Sequence, residues 1–214
     1  MTILIIFISF CKSAFADEFR VISFHYPPYT YQDGRDGLAI TNIRKAFERA
    51  GHRVNVQYYP VARAFQKFLM DKDAFFAGHI SQFKASDKLD YVTNLNVTHR
   101  VLVSSDYTNA VASPKRIAVL RDDQIGIDIA KQMNAQPVSV ENNQQAFEMM
   151  LAGRLDFLNC LSFECETLIT QSGKKLSVLA GSESSFELQL VYHRDSNSGK
   201  QALLASEKGF FRSP

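Results

Sequence analysis

Tryptophan is absent from this 214-residue chain, and cysteine occurs only three times. Without an indole, 17 Phe and 8 Tyr must supply every ring surface that a core or a binding site uses. An excess of one charge is also missing: 24 Lys and Arg face 22 Asp and Glu with no basic run, so electrostatics gives no reason to expect nucleic acid as partner. The five histidines (25, 52, 79, 99, 193) stand singly, none in a short-spaced pair with a cysteine, so no zinc site is expected. There is no Gly-x-Ser-x-Gly, and no paired acid/base signature suggests catalytic residues. What remains, 46% apolar and 21% charged residues, is the balance of a folded globular chain.

The first apolar run, Thr2 to Phe10, is about half the roughly 20 residues of a spanning helix. Cys11-Lys12-Ser13 breaks it, and Ala14-Phe15-Ala16 offers the small-x-small pattern of a signal-peptidase site. Residues 1–16 are therefore expected to be a signal peptide rather than an anchor, and the rest of the chain to be exported to the periplasm. Export leaves Cys160 and Cys165 in a disulfide-permissive compartment, where a short-loop bridge and two buried thiols are both open readings.

Periodicity then sets the elements. Phe19 to Phe24 reads as a buried strand that ends at His25-Tyr26-Pro27-Pro28, and Asp33-Gly34-Arg35-Asp36-Gly37 as turns. Ile40, Ile43, Phe47 and Ala50 recur at helical spacing up to Gly51, a helix terminator. Val54, Val56 and Tyr58 alternate as a strand; then Val61, Ala64, Phe65, Phe68 and Leu69 form a helical core stripe. Strands follow over 74–80 and 97–104. A second unit repeats the order: strand 116–120, helix 124–134, strand 137–140, helix 143–152, strand 155–160, a helix near 164–170 and strand 176–179. Phe186, Leu188, Leu190 and Tyr192 alternate against Glu187 and Gln189 in a last strand, and 198–209 remains for a final helix, complete or truncated.

Repeated β-α-β units with nearly continuous apolar strands imply parallel sheets covered by helices. The polar stretch Ser104 to Ser113 joins the units, so two lobes rather than one continuous sheet are expected, with a ligand cleft between them.

The chain at this point resembles the bacterial extracellular solute-binding proteins of family 3, periplasmic receptors of ABC-type uptake systems. The likeness rests on Tyr26-Pro27-Pro28-Tyr29-Thr30-Tyr31 with Gly34 and Gly37, on Tyr59-Pro60-Val61-Ala62-Arg63-Ala64, and on two runs of the second unit. These are Lys115 to Leu120 and Ala146 to Asp156, the latter with its Gly153-Arg154-Leu155-Asp156 exit. The resemblance implies an α/β, two-lobed periplasmic-binding-protein-like fold, each lobe a mostly parallel sheet flanked by helices, with a hinge and an interlobe cleft. It places lobe 1 at 17–104 and 186–214 and lobe 2 at 105–185. It implies a small-molecule solute, a probable ABC permease in the inner membrane, a monomer and no cofactor. Two departures tell against a standard α-amino-acid ligand. Ala85 stands where relatives place a carboxylate-clamping arginine, and Lys84 supplies charge without the planar fork. Asn159-Cys160-Leu161 stands where they carry an amine-binding acid.

Candidate ligand residues come from loops at strand ends. Tyr26, Tyr29 and Tyr31 flank a rigid Pro-Pro turn and offer rings; Arg63 starts a helix; His79, Ser81, Phe83 and Lys84 follow the third strand. In the second unit Arg121, Asp122 and Gln124 precede a helix whose amino end attracts anions, and Asn159 ends a strand. Asp122 or Asp123, and Asn142 with Asn143, also fit as helix caps. The expected function is capture of a small polar or anionic solute for an uptake system, without catalysis. Two alternatives remain: a module that binds a ligand and signals to a sensor, and a secreted dehydratase of cyclic acids on the same fold, for which Asp122 or Glu164 would be the acid or base.

Overall fold

The computed structural model describes residues 17–84, 86–105, 115–173 and 176–207. The expected signal peptide, the aligned position Ala85, most of the 104–113 linker and residues 208–209 of the last helix lie outside them.

Strands β1 (Glu18–Ser23), β2 (Arg53–Tyr58) and β3 (Phe75–Gly78) alternate with helices α1 (Leu38–Arg49) and α2 (Val61–Met70). β1 lies between β2 and β3, parallel to both. The long strand β4 (Leu89–Ser105) leads to β5 (Arg116–Leu120), α3 (Gln124–Gln132), β6 (Gln136–Val140), α4 (Asn143–Leu151) and β7 (Phe157–Leu161). Here β5 is the central strand, parallel to β6 and β7. Helix α5 (Ser162–Ser172), β8 (Leu176–Val178), β9 (Ser184–His193) and α6 (Asn197–Glu207) complete the chain.

The two parallel triplets do not form separate sheets. Hydrogen bonding runs unbroken in the order β2-β1-β3-β9-β4-β7-β5-β6, because β4 and β9 form a long antiparallel ribbon between the halves. β4 pairs with β9 from Leu89 to Arg100 and with β7 from Arg100 to Ser104, so Arg100 marks the place where it changes partner. The sequence expectation of two sheets fails here because β4 begins at Leu89, well before Val97. Polar residues such as Asn94 and Asn96, which hide the early part of the strand from a hydropathy reading, are accommodated at register shifts.

Each half nevertheless builds its own core by strand alternation. In the first, Val21, Phe75 and Ala77 face α1 and α6, while Ile22 and Phe76 face α2. In the second, Ala118, Leu158 and Cys160 pack with α4 and α5 on one face, and Ile117, Val119 and Phe157 pack with α3 on the other. The lobes thus emerge from packing rather than from a break in the sheet. Two core expectations need correction. Leu69, at the end of α2, is exposed despite fitting the stripe. β9 is buried on both faces from Leu188 onward, because it is an interior strand between β3 and β4. Gln189 tolerates this burial by accepting from the Ile80 N–H at 3.1 Å.

Cys160, on β7, and Cys165, in the first turns of α5, form a disulfide with Cα atoms 6.0 Å apart. Both residues are buried in the core of the second half. No helix among the described residues is long and apolar enough to cross a membrane.

Closing so short a loop restricts the unfolded chain by about 2 kcal/mol in the loop-entropy treatment. The Cys160→Ala/Cys165→Ala double variant is expected to lose about that much in urea unfolding. Denatured, unreduced protein should leave both cysteines unlabelled by iodoacetamide; labelling at both would refute the bridge.

Candidate functional site

The carboxyl ends of both parallel triplets converge on the middle of the ribbon. From the first half come the loop after β1, carrying Tyr26 to Tyr31, the start of α2 after β2, and a 3-10 turn at Ile80–Gln82 after β3. From the second come the starts of α3, α4 and α5, which follow β5, β6 and β7. Ligands of open parallel sheets gather at such strand ends.

The loop after β1 is folded tightly. Tyr29 and Thr30 donate their N–H groups to Tyr26 O at 2.9 and 3.0 Å, and Thr30 Oγ1 donates to Phe24 O. The loop then packs on Gly37, where any Cβ would collide with the Tyr29 backbone. This fixes the tyrosines: the Tyr26 and Tyr29 rings lie 5.8 Å apart, and Tyr29 Oη donates to Val97 O at 3.0 Å.

On β4, strand alternation turns Thr98 and Arg100 inward while Val97 and His99 face solvent. Arg100 is only 6% exposed, and its Nη1 donates to Asp123 Oδ2 at 3.1 Å. Asp123, 2% exposed, uses Oδ1 to accept from the Ile125 N–H at 3.2 Å and so caps α3. One carboxylate thus closes a helix end and neutralises a buried cation. Burial opposes the Arg100 charge, but the Asp123 carboxylate, reinforced by Tyr26, outweighs it and holds the guanidinium charged. The Phe186 ring covers the guanidinium, with Cζ 4.9 Å from its centroid, and His79 meets the same ring edge-on at 5.6 Å.

The Tyr26 hydroxyl is buried with Arg100 and Thr98 beside it, and among the described residues no hydrogen bond of normal geometry satisfies it. Burial pushes its pKa up to about 12, against the pull of Arg100. Burial, aided by Arg100, lowers the His79 imidazole, whose Nδ1 accepts from Ser81 N at 3.1 Å. Glu164, in the first turn of α5, accepts from Asn143 Nδ2 at 2.7 Å. Burial raises its pKa, while Asn143, His25 and Arg100 act in the opposite direction.

Of the residues expected from sequence, Tyr26 and His79 lie at this cluster, and Tyr29 lies next to it. Tyr31 stacks instead under Arg35, with Cζ 4.3 Å from its centroid. Phe83 is buried in the first core against Phe65, Phe68 and Phe76, because its 3-10 turn folds back onto the sheet. Arg63, Ser81 and Lys84 are exposed. Arg121 pairs with Glu141, and Gln124 Nε2 donates to Asp128 at 2.9 Å, so both are engaged along the surface of the second half. Asp122 is exposed at φ 65°, and the cap is its neighbour Asp123. Asn159 is buried in β7 opposite Leu102. Asn142 caps α4, whereas Asn143 reaches Glu164.

Sequence reasoning missed Arg100, Asp123 as its partner, Thr98 and Phe186. The available signal was an arginine directly before the apolar run Val101-Leu102-Val103, a costly place for an unpartnered charge. No group of His, Cys, Asp and Glu able to hold a metal occurs among the described residues. A cavity of about 510 Å³ opens at the other end of the ribbon, beside Leu69, Lys72 and Arg194. Within it Lys72 pairs with Asp195 at 3.0 Å and Arg194 with Asp90 at 3.7 Å.

Two substitutions test these electrostatics. In the unfolded chain the Tyr26 phenol ionises near pH 10, whereas in the folded protein it ionises near 12. The folded state then holds the extra proton, so Tyr26 makes stability fall as pH rises through that window. Urea unfolding of wild type and Tyr26→Phe between pH 9 and 11.5 should show the wild type losing ground to the variant; parallel profiles would refute this. Glu164→Gln removes a carboxylate whose ionisation burial opposes and leaves an acceptor for Asn143. It should raise the melting temperature at pH 7, with the gain vanishing below about pH 4.5, where the unfolded and folded carboxyls are both protonated.

No protein-family model matches the chain, and no curated protein sequence matches it. Solved structures do. The periplasmic sensor of the Borrelia burgdorferi hybrid histidine kinase Hk1 is 15% identical, with a TM-score of 0.66 over 93% of this chain and 99% of that one. Holo ArgBP from T. maritima is 14% identical, with a TM-score of 0.66 over 92% of each chain. The GluR0 ligand-binding core from Nostoc punctiforme, in complex with (L)-glutamate, is 14% identical, with a TM-score of 0.67 over 90% of this chain and 95% of that one. The chain therefore has the α/β, two-lobed periplasmic-binding-protein-like fold.

Proposed function

We propose that this chain is an exported solute receptor of the extracellular solute-binding protein family 3 type, capturing a small polar or anionic solute between its lobes without transforming it. The observation that carries the reading is the convergence of both sets of strand ends on a buried, ring-covered Arg100 with the unpartnered Tyr26 hydroxyl beside it. In this reading residues 1–16 direct export to the periplasm and are removed. Lobe 1 comprises 17–104 and 186–214, lobe 2 comprises 105–185, and the β4–β9 ribbon is the hinge. A monomeric receptor closes on the solute and delivers it to an ABC permease in the inner membrane. Closure is driven by contacts that exist only when both lobes touch the ligand.

A second reading, delivery of the ligand signal to a sensor, draws support from two histidine-kinase sensor domains with this fold. The dehydratase alternative draws less. Asp122, one proposed acid, is on the surface, and Glu164 is bonded to Asn143 with no second carboxyl at that bond.

The deciding experiment is calorimetry and thermal unfolding of the mature protein against amino acids, small carboxylates and oligosaccharides, with prephenate turnover assayed in parallel. One saturable solute is expected. At a hundredfold excess over its Kd it should stabilise by about 2.7 kcal/mol. Absence of any saturable ligand would sink the receptor reading, and turnover would replace it with the enzymatic one. Loss of uptake of that solute on deleting the gene would support the permease, whereas unchanged uptake with altered signalling would support the sensor.

A further inference from the structure

Arginine presents five N–H donors in a planar fork that matches a two-oxygen acceptor. Among the described carboxylates, that fork at Arg100 is met by a single oxygen. Asp123 Oδ2 takes the Nη1 donor at 3.1 Å, while Asp123 Oδ1 is committed to the Ile125 N–H. The carboxylate is therefore shared between a helix and a cation, and it does not meet the guanidinium bidentately. Against the same guanidinium, and beside Thr98, lies the buried Tyr26 hydroxyl, which makes no hydrogen bond of normal geometry among the described residues. Burying a hydroxyl in this condition is unfavourable, and an oxygen acceptor at that point would recover the loss. Phe186 covers the guanidinium with an apolar face, which strengthens any anion contact made there by excluding water.

Resting on the receptor reading above, we propose that Arg100 and Tyr26 form an oxyanion site for the carboxylate of the solute, and that Asp123 competes for this site from within the protein. The guanidinium offers its remaining donors and Tyr26 its O–H to the two oxygens of the incoming carboxylate. Two carboxylates on one buried cation leave a net negative charge, so Asp123 yields its bond to Arg100 as the solute binds and keeps its cap on α3. Asp123 belongs to the helix that follows β5, whereas Arg100 belongs to the ribbon. Exchange of one carboxylate for the other is thus also a change in what ties the second lobe to the hinge. Asp123 sets a threshold in this scheme: neutral solutes have nothing with which to displace it, and anions do.

The test uses the mature protein and defined probes, benzoate and succinate, each against its amide, benzamide and succinamide, with binding read by calorimetry and by NMR titration. Asp123→Asn retains a cap-competent side chain of the same size and removes the competing charge. It is expected to tighten both carboxylates by tenfold or more and to leave the amides unchanged. Tyr26→Phe keeps the ring and removes the hydroxyl, and should weaken the carboxylates severalfold with no effect on the amides. If the carboxylates bind but Asp123→Asn leaves their affinity unchanged or weakens it, the competition is refuted while the receptor reading stands. If wild type and Asp123→Asn bind neither carboxylate but the broader solute panel yields a neutral ligand, the oxyanion site is refuted and the receptor reading again stands. If neither the probes nor the panel gives a ligand with either protein, the receptor reading itself falls. Should Asp123→Asn unfold, the Tyr26→Phe result alone decides: equal carboxylate affinity in wild type and variant overturns the site.

Discussion

The buried ion pair between Arg100 and Asp123 is the constraint on which the rest of the cleft depends. A guanidinium this buried has lost most of its hydration, and only a close counter-charge makes the charged state tolerable. The pair stands where β4 leaves β9 for β7, and its acid is the cap of a helix from the second half. The same bond therefore satisfies the ribbon and fixes the approach of α3. Burial sets the direction for its neighbours, lowering His79 and raising Tyr26 and Glu164; the guanidinium adds to the first effect and partly offsets the other two. Net stabilisation from such pairs is often small, and their better-attested role is to specify one arrangement over others.

That arrangement is carried by two stiff bodies. The first half packs Phe19, Phe47 and Phe75 on one side of its sheet and Phe24, Phe65, Phe68, Phe76 and Phe83 on the other. Rings in such clusters repack only as a unit. The second half relies on aliphatic and sulfur side chains, with the Cys160–Cys165 bridge tying β7 to α5. Between them run just two strands, β4 and β9, with register shifts between Tyr91 and Asn96. Relative motion of the halves, where it occurs, has to be absorbed by this ribbon. Residues that must keep their geometry, such as Tyr29 against Val97 O, are placed on the folded loop rather than on long flexible side chains.

Much of this was legible in the sequence, and the reason is periodicity. The helices α1 and α2 and the β5-to-β7 unit follow from apolar spacing and from terminators such as Gly51, which adopts φ 81° after α1. The hinge strands were harder. Asn94 and Asn96 break the apolar pattern of β4, and Gln189 appears to mark a solvent face on β9 although it is buried and bonded to Ile80. In both cases the tertiary partner, not the local pattern, decides the burial. The site was half visible: Tyr26 and His79 could be found because they sit on loops at strand ends, where ligand residues concentrate. Arg100 was hidden because it lies inside a strand, and its partner Asp123 because an acid before a helix is adequately explained as a cap. Phe83 misled for the opposite reason, since its loop position says nothing of the core cluster it joins.

The two carboxyl groups of the second half show how environment separates residues of like chemistry. Asp123 meets a cation through one oxygen and a backbone N–H through the other. Glu164 is desolvated beside Asn143, its nearest partner a neutral amide, so its proton is held more tightly than that of an ordinary glutamate. With Arg100 balanced by Asp123, the cleft carries little net field of its own, in keeping with the near-neutral chain, which bears a formal charge of +2. In the proposed receptor, selection of a solute would fall to short-range features: the donor fork, the Tyr26 hydroxyl, the Phe186 face and Glu164. In a cleft without tryptophan, one ring, Phe186, serves the guanidinium, and another, Tyr26, presents its hydroxyl. With one ring face turned to the guanidinium, the proposed receptor would rely on polar geometry as well as aromatic area to discriminate between solutes.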